Sequence, residues 1–210
     1  MSQQLQAYAI TAPGFYGLNT QDSSLDLASG FALVANNCVI DQYGRVGARK
    51  GWTPINTSTN SDLGTNDIKM IAELVGKDGT SYVILAGNNK LFKQSSNSLV
   101  TLTYGGGGTA PTITDSNWQA ASLNGYLVLY QTGHDPLIFD PATSTTTYKR
   151  ISEHASYSGT VQQSNAVISA YGRTWSAATS GDKVTIQFSD LVSPMKFTGG
   201  TSGTLDTTNV

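Results

Sequence analysis

Residues 123–140 read LNGYLVLYQTGHDPLIFD. A turn at Asn124-Gly125 precedes the apolar run at 126–130, and a second turn at 133–135 leads into another apolar run at 136–139. An Asn-Gly pair next to apolar runs is a strong hairpin signal. The stretch therefore predicts two short strands, with an aromatic residue just after the first turn and a phenylalanine in the second strand.

The same pattern occurs twice more, at 77–93 and at 171–188. Its spacing is regular. Successive turn glycines lie 46 and 47 residues apart, and successive second-strand phenylalanines lie 47 and 49 residues apart (Gly79, Gly125 and Gly172; Phe92, Phe139 and Phe188). Each unit also follows a short apolar run, and a third strand is expected after the first two. For the three units these third strands are predicted at Leu99–Tyr104, Thr146–Ile151 and Met195–Thr198.

A repeat of about 40–50 residues that holds four short strands is typical of a propeller blade. We therefore predict an all-β, β-propeller-like fold with blades at 66–104, 117–151 and 165–200. An irregular partial blade at 36–60 precedes them, and residues 1–35 form an extended N-terminal arm or loop, in which Ser24–Ala35 could hold one short helix. The alternative is a β-sandwich, whose strands also recur at short intervals.

The number of blades has a consequence for the fold. A closed propeller takes about four to eight blades, and three clear blades with one partial blade fill the 210 residues. We therefore expect an incomplete or open-ended propeller, which a longer polypeptide continues or partner chains complete.

The chain contains few charged residues. Charged residues make up 12% of the chain and its formal net charge is −2, which argues against a general nucleic-acid coat because such proteins carry a basic surplus. Low charge suits a subunit of a large assembly, where much of the surface becomes interface. The single cysteine, Cys38, lies in an apolar pattern and is predicted to be a small buried residue. The N-terminus shows no secretory signal pattern, so synthesis in the cytoplasm is expected.

Few residues suggest catalysis. His134 and His154 lack metal-ligand spacing and are predicted to be solvated turn residues. Asp135 and Asp140 flank an apolar run as turn residues, although paired carboxylates would also suit a glycosidase. Residues 172–175 match only the second half of the Asp box found in sialidases. We therefore predict no enzyme, metal or cofactor, with a carbohydrate-binding or glycan-cleaving propeller as the alternative.

Residues 36–52 form a second distinctive stretch, a predicted hairpin that carries Arg45, Arg49 and Lys50. Gly44 can supply the positive φ of its turn. One interpretation is a solvated face on which the long stems cover apolar surface. The other is a contact with an acidic neighbouring subunit or with passing DNA.

The N-terminal region resembles a known family. The segments at 13–23, 35–41 and 44–52 are similar to the opening of the tail nozzle proteins of short-tailed bacteriophages (tail tubular protein B). Residues 172–206 resemble a blade of the same family more weakly. Nozzle proteins are much longer than this chain.

This resemblance implies a structural subunit of the virion tail. It implies a ring-shaped homo-oligomer, usually six-fold, that contacts the tail adaptor protein and the tail fibres. DNA would pass through its lumen during ejection without sequence-specific binding. The arm and hairpin would then be assembly surfaces, and the expected interface residues are Phe15, Tyr16, Arg45, Arg49, Lys50 and Trp52.

Overall fold

The computed structural model describes residues 16–40, 45–51, 53–56, 58–114, 117–179 and 181–208. The prediction of an all-β fold is confirmed, since the described residues form strands and one 3₁₀ turn, Ile151–Glu153, with no α-helix among them. The chain divides into two compact units, Met1–Pro54 and Ile55–Val210.

The first unit contains two small sheets. Strands β1 (Gly17–Leu18) and β2 (Phe31–Ala32) pair in parallel. Strands β3 (Cys38–Ile40) and β4 (Val46–Ala48) pair antiparallel, as predicted for the hairpin. Its predicted turn at Gly44 lies outside the described residues.

The short helix expected within Ser24–Ala35 is wrong. Residues 24–26 and 29–30 form turns, and β2 follows them within the segment. The hydroxyl of Ser23 accepts a hydrogen bond from the Leu25 N–H at 3.3 Å, so a side chain satisfies a backbone donor without a helix. Gly30 has φ +96°, which an α-helix cannot accommodate.

The second unit contains three larger sheets. Sheet I is an antiparallel meander of β5 (Ile68–Val75), β6 (Ser81–Gly87), β7 (Lys90–Ser95) and β8 (Ser98–Thr101). Sheet III is a second meander, made of β14 (Ser164–Ala170), β15 (Arg173–Thr179), β16 (Thr185–Phe188) and β17 (Gly203–Asp206).

Sheet II has a fifth strand. It contains β10 (Gln119–Leu123), β11 (Tyr126–Tyr130), β12 (Leu137–Phe139) and β13 (Thr147–Arg150), and β9 (Thr103–Tyr104) pairs in parallel with β13. The single strand predicted at Leu99–Tyr104 is thus two strands in two different sheets. Leu102 lies between them and is buried, so the chain crosses from sheet I to sheet II at an apolar anchor.

The last strand of sheet III is also not where the sequence predicted it. Met195–Thr198 forms no strand, and only Lys196 makes an isolated bridge, to Ser158. Met195 and Phe197 are buried in the core beside sheet II. Their apolar character reflects burial in a loop, whereas the real strand β17 is polar and largely exposed.

Sheet II is the middle layer of the packed core. Leu127, Leu129 and Phe139 pack with residues of sheet I, among them Leu74 and Ile84. The alternate residues Val128, Tyr130 and Ile138 pack on the opposite side, in a cluster with Val167 of sheet III and with Met195 and Phe197. Because side chains alternate across a strand, both faces of β11 are apolar and both are covered.

The turn segment at 60–66 lies on the face of sheet I that points away from sheet II. Asp62 pairs with Lys90 and accepts a hydrogen bond from the Thr101 hydroxyl, and the Asn60 side chain donates to the Leu99 carbonyl at 2.8 Å. Thr101 and Phe92 are cross-strand partners and share this face. The hydrogen bonds from Lys90 and Thr101 hold the pKa of Asp62 below its usual value of 3.8.

Replacing Asp62 by Asn is expected to lower the melting temperature near neutral pH and to reduce the loss of stability in acid. A carboxylate whose pKa is depressed by folding stabilises the fold above its unfolded pKa, and this contribution is lost as the pH falls through the folded pKa. The difference in melting temperature between the wild type and Asp62→Asn should therefore be present at about pH 7 and should shrink towards about pH 2.

The control for this prediction is Asp67→Asn. Asp67 forms an exposed ion pair with Lys69 at 3.2 Å, and exposed pairs contribute little to stability. An Asp62→Asn deficit of equal size at both pH values would show that Asp62 acts through packing and not through its charge.

Candidate interaction surfaces

The outer face of sheet III is an open apolar surface, which we call the open face. It carries a shallow cavity of about 420 Å³ with an almost entirely apolar lining. The residues that define it are Ala166, Ile168, Ala170, Trp175, Ala177 and Ile186. Ile168 is 61% exposed, and Tyr171, at the adjoining turn, is almost fully exposed. Exposed apolar patches of this kind mark interaction sites on soluble proteins.

The aromatic centre of the open face is held in place by its neighbours. The indole N–H of Trp175 donates to the carbonyl of Ala170 at 3.0 Å, and its ring lies 4.8 Å from that of Phe188. Arg173 lies over the other aromatic ring, with its guanidinium carbon 5.4 Å from the Phe188 centroid. This guanidinium donates to the carbonyls of Ser189 and Thr201 and to the Thr201 hydroxyl. The surface is therefore fixed before any partner binds.

The repeat shows which surface of sheet II corresponds to the open face. Val128 and Trp175 occupy the same position, three residues after the turn glycines Gly125 and Gly172. Val128 is fully buried in the core beside sheet III, whereas Trp175 lines the open cavity. The open face thus corresponds to a surface that is covered in the preceding sheet.

The cationic hairpin is a separate candidate surface in the first unit. Arg45, Arg49 and Lys50 are all exposed and flank β4, and the Arg49 N–H donates to the Asn37 carbonyl at 2.9 Å. Tyr16 is exposed, with its ring 5.8 Å from that of Phe31. Phe15 and Trp52, the other two predicted interface residues, lie outside the described residues.

Cys38 is less buried than the sequence predicted. It is half-buried in β3, where its partner is Ala48. The two-stranded sheet to which it belongs buries little, since all three residues of β4 are exposed.

The prediction that His154 is a solvated turn residue is wrong. Its side chain is about nine-tenths buried and its Nε2 lies 3.2 Å from Asp140 Oδ2. The Ser156 N–H donates to Nδ1 at 3.1 Å, so Nε2 carries the proton that is donated to Asp140. Burial opposes ionisation of Asp140, but hydrogen bonds from Thr143, His154 and the Ala142 N–H hold its pKa below the usual value. The adjoining cavity measures about 20 Å³, which leaves space for about one water.

His134 lies in a polar groove of about 240 Å³ together with Asp135, Arg150 and Gln163. Arg150 joins two carboxylates, since it donates to Asp135 at 3.0 Å and to Glu153 at 3.5 Å. Because both carboxylates contact one cation, they are arranged as an ion-pair network and not as a facing acid and base pair.

Tyr104 completes this network. Its hydroxyl bonds to Glu153, and Arg150 donates to the same hydroxyl at 2.7 Å. Burial and the hydrogen bond to Glu153 raise the pKa of Tyr104, so the phenol remains a protonated donor. The network ties β9 to the end of β13, which is a structural role.

In the described part of the chain, no three His, Cys, Asp or Glu residues lie close enough together to hold a metal ion. Nor does any described helix have the length and apolar character needed to cross a membrane.

Comparison with known proteins gives no identification. No protein-family model matches the chain, and no curated protein or solved structure matches it either.

Proposed function

We propose that this chain is a structural subunit of a bacteriophage tail that works through assembly and not through catalysis. The observation that carries the proposal is the open face of sheet III. A preformed apolar surface with few polar groups suits a permanent contact with another protein surface, because obligate interfaces resemble a core cut in half. It does not suit a polar substrate, which needs several placed hydrogen-bonding groups.

We also propose that the three sheets are consecutive blades of an open-ended, propeller-like stack. The contacts between first strands support this arrangement, since β10 lies against β5 on one side and against β14 on the other. In a propeller, each blade is a four-stranded sheet, and the blades are arranged around a central channel. First strands that neighbour one another fit the inner wall of such an arrangement.

The resemblance to nozzle proteins supplies the remaining parts of the proposal. The subunit forms a ring, with six copies as the expected number, and contacts the tail adaptor protein and the tail fibres. DNA passes through the lumen of the ring. A formal net charge of −2 suits this passage, because a wall that bound phosphates strongly would slow the DNA.

The alternative function is binding or cleavage of a glycan. The polar groove with His134, Asp135, Arg150 and Gln163 favours it, because such side chains can bind hydroxyl groups. The described lining of this groove contains no tyrosine, tryptophan or phenylalanine, however, and its carboxylate is paired with Arg150. We therefore rank glycan binding below assembly.

The test is the mass of the purified chain in solution, combined with electron microscopy. We expect a closed ring with a central channel, and only weak DNA binding at physiological salt. A chain that stays monomeric at all concentrations and binds or hydrolyses a glycan would overturn the proposal.

A further inference from the structure

The stack of sheets has two end faces, and both expose apolar side chains. At one end lies the open face of sheet III. At the other end, the face of β5 that points away from sheet II carries Ile71 and Val75, which are 69% and 54% exposed. We infer that these two ends bind each other in different copies, so that the open face of one copy receives β5 of a second copy. This inference rests on the proposed assembly function.

Continuity with the two packed interfaces inside the chain is the first argument. Sheet II packs on one face of sheet I, and sheet III packs on the opposite face of sheet II. The first strands of neighbouring sheets are in contact. The open face is the corresponding surface of sheet III. A sheet from a second copy that took the next place in this series would cover the open face and would place its first strand beside β14.

The direction of the β5 side chains is the second argument. Met70, Ala72 and Leu74 belong to the core shared with sheet II. Side chains alternate across a strand, so Ile71, Glu73 and Val75 point to the opposite side. The turn segment at 60–66 covers that side near Thr101 and Lys90 of the later strands and leaves β5 itself exposed. The exposed part of sheet I is therefore its first strand, which is the part that the series requires.

Shape is the third argument. Alanine occupies three of the positions that line the cavity, Ala166, Ala170 and Ala177. Because these side chains are small, they leave a depression in the apolar surface. The larger side chains of Ile71 and Val75 project from the opposite end of the stack and could fill such a depression. Large residues packed against small ones reach the density of a protein interior.

Charge is the fourth argument. Glu73 lies between Ile71 and Val75 on the outward side of β5 and is exposed. Arg173 shares the side of β15 that carries Trp175, and its hydrogen-bond partners are two backbone carbonyls and one hydroxyl. When Glu73 of one copy is brought against the apolar open face of another, its carboxylate loses contact with water and needs a cation as a partner. The guanidinium of Arg173, at the margin of the open face, is that partner.

An interface between two different faces is heterologous. Each copy then uses one face to bind the copy before it and the other face to bind the copy after it. Such contacts generate a closed ring when the rotation that relates neighbouring copies adds up to a full turn. The two end faces thus give a physical basis for the ring.

Two variants test the inference, Ile168→Asp on the open face and Ile71→Asp on β5. Both residues are largely exposed in the single chain, so each variant should fold, which circular dichroism would verify. Alone, each variant should sediment as a monomer of 22.2 kDa. An equimolar mixture should form a dimer of twice that mass and nothing larger, because only one pair of faces remains intact.

The control is Asn97→Asp, which adds a negative charge at an exposed residue in the turn between β7 and β8 and should leave the ring unchanged. An equimolar mixture that stays monomeric would overturn the inference. So would an Ile71→Asp variant that still dimerises, because two open faces would then bind each other. If rings persist in Ile168→Asp, the copies are joined elsewhere and only this inference fails. If the wild type stays monomeric, the proposed ring fails as well.

Discussion

Replacing Phe139 by alanine should destabilise the second unit by about 3–5 kcal/mol, the usual cost of removing a buried phenylalanine side chain. Phe139 is fully buried in the core between sheets I and II. Its ring lies 5.8 Å from that of Tyr82 in an edge-to-face arrangement, and Leu127 is its cross-strand partner. The truncation therefore removes contacts with both sheets at once. Denaturant titration followed by tryptophan fluorescence would measure the loss.

The matched control is Phe188→Ala, the phenylalanine of the next repeat. Phe188 is half-buried and packs on Trp175. We expect a smaller loss, roughly 1–2 kcal/mol, since less apolar area leaves contact with protein. Both variants should be compared at a concentration low enough to keep the chain monomeric. Equal losses would contradict the assignment of the main core to the junction of sheets I and II.

Replacing Gly159 by alanine should cost roughly 2–5 kcal/mol, from strained backbone and from overpacking together. Gly159 has φ +87°, and an added Cβ would lie 2.7 Å from the carbonyl carbon of Phe197 and 2.8 Å from the nitrogen of Thr198. These are backbone atoms, which cannot move away as a flexible side chain can. Thermal unfolding monitored by circular dichroism would show the loss as a lower melting temperature.

Gly133→Ala separates the two contributions. Gly133 has φ +73°, but an added Cβ there would meet nothing within 4 Å. This variant should show the backbone cost alone, about 1–2 kcal/mol. If the two variants were equally stable, the close approach of the loop at 159 to residues 197–198 would be refuted.

The hairpins of sheets I, II and III could be predicted because their signals are local. Asn124-Gly125 fixes a turn through backbone conformation alone, and apolar residues follow it directly. In the structure both residues have positive φ, as such a turn requires. The same reasoning applies to Gly172, where Tyr171 shares the positive φ.

Long-range placement could not be predicted in the same way. Nothing within residues 103–104 indicates that they leave sheet I and pair with β13, because each partner residue is 44 residues away in sequence. Similarly, Met195 and Phe197 carry an apolar signal that is equal for a strand and for a loop that fills a core. The burial of His154 depends on Asp140 and Tyr126, which only the fold brings close to it.

The open face could be predicted only in part. Its residues were visible in the sequence, since Ala166, Ile168 and Ala170 alternate with other residues in a strand pattern, and Trp175 and Ala177 do the same. Such alternation indicates one apolar face. It does not indicate whether that face is covered, because coverage depends on the position of sheet III at the end of the stack.

The parallel strand β9 also determines how sheet II meets its surroundings. An unpaired outer strand offers a row of backbone N–H and C=O groups to which a stray extended chain can add, the first step of edge-to-edge aggregation. Residues 103–104 cover part of this row on β13, through the Thr103 N–H bond to the Thr146 carbonyl and the Gly105 N–H bond to the Tyr148 carbonyl. The chain thus uses its own connection between sheets to cover part of the edge at which a stray strand could add to sheet II.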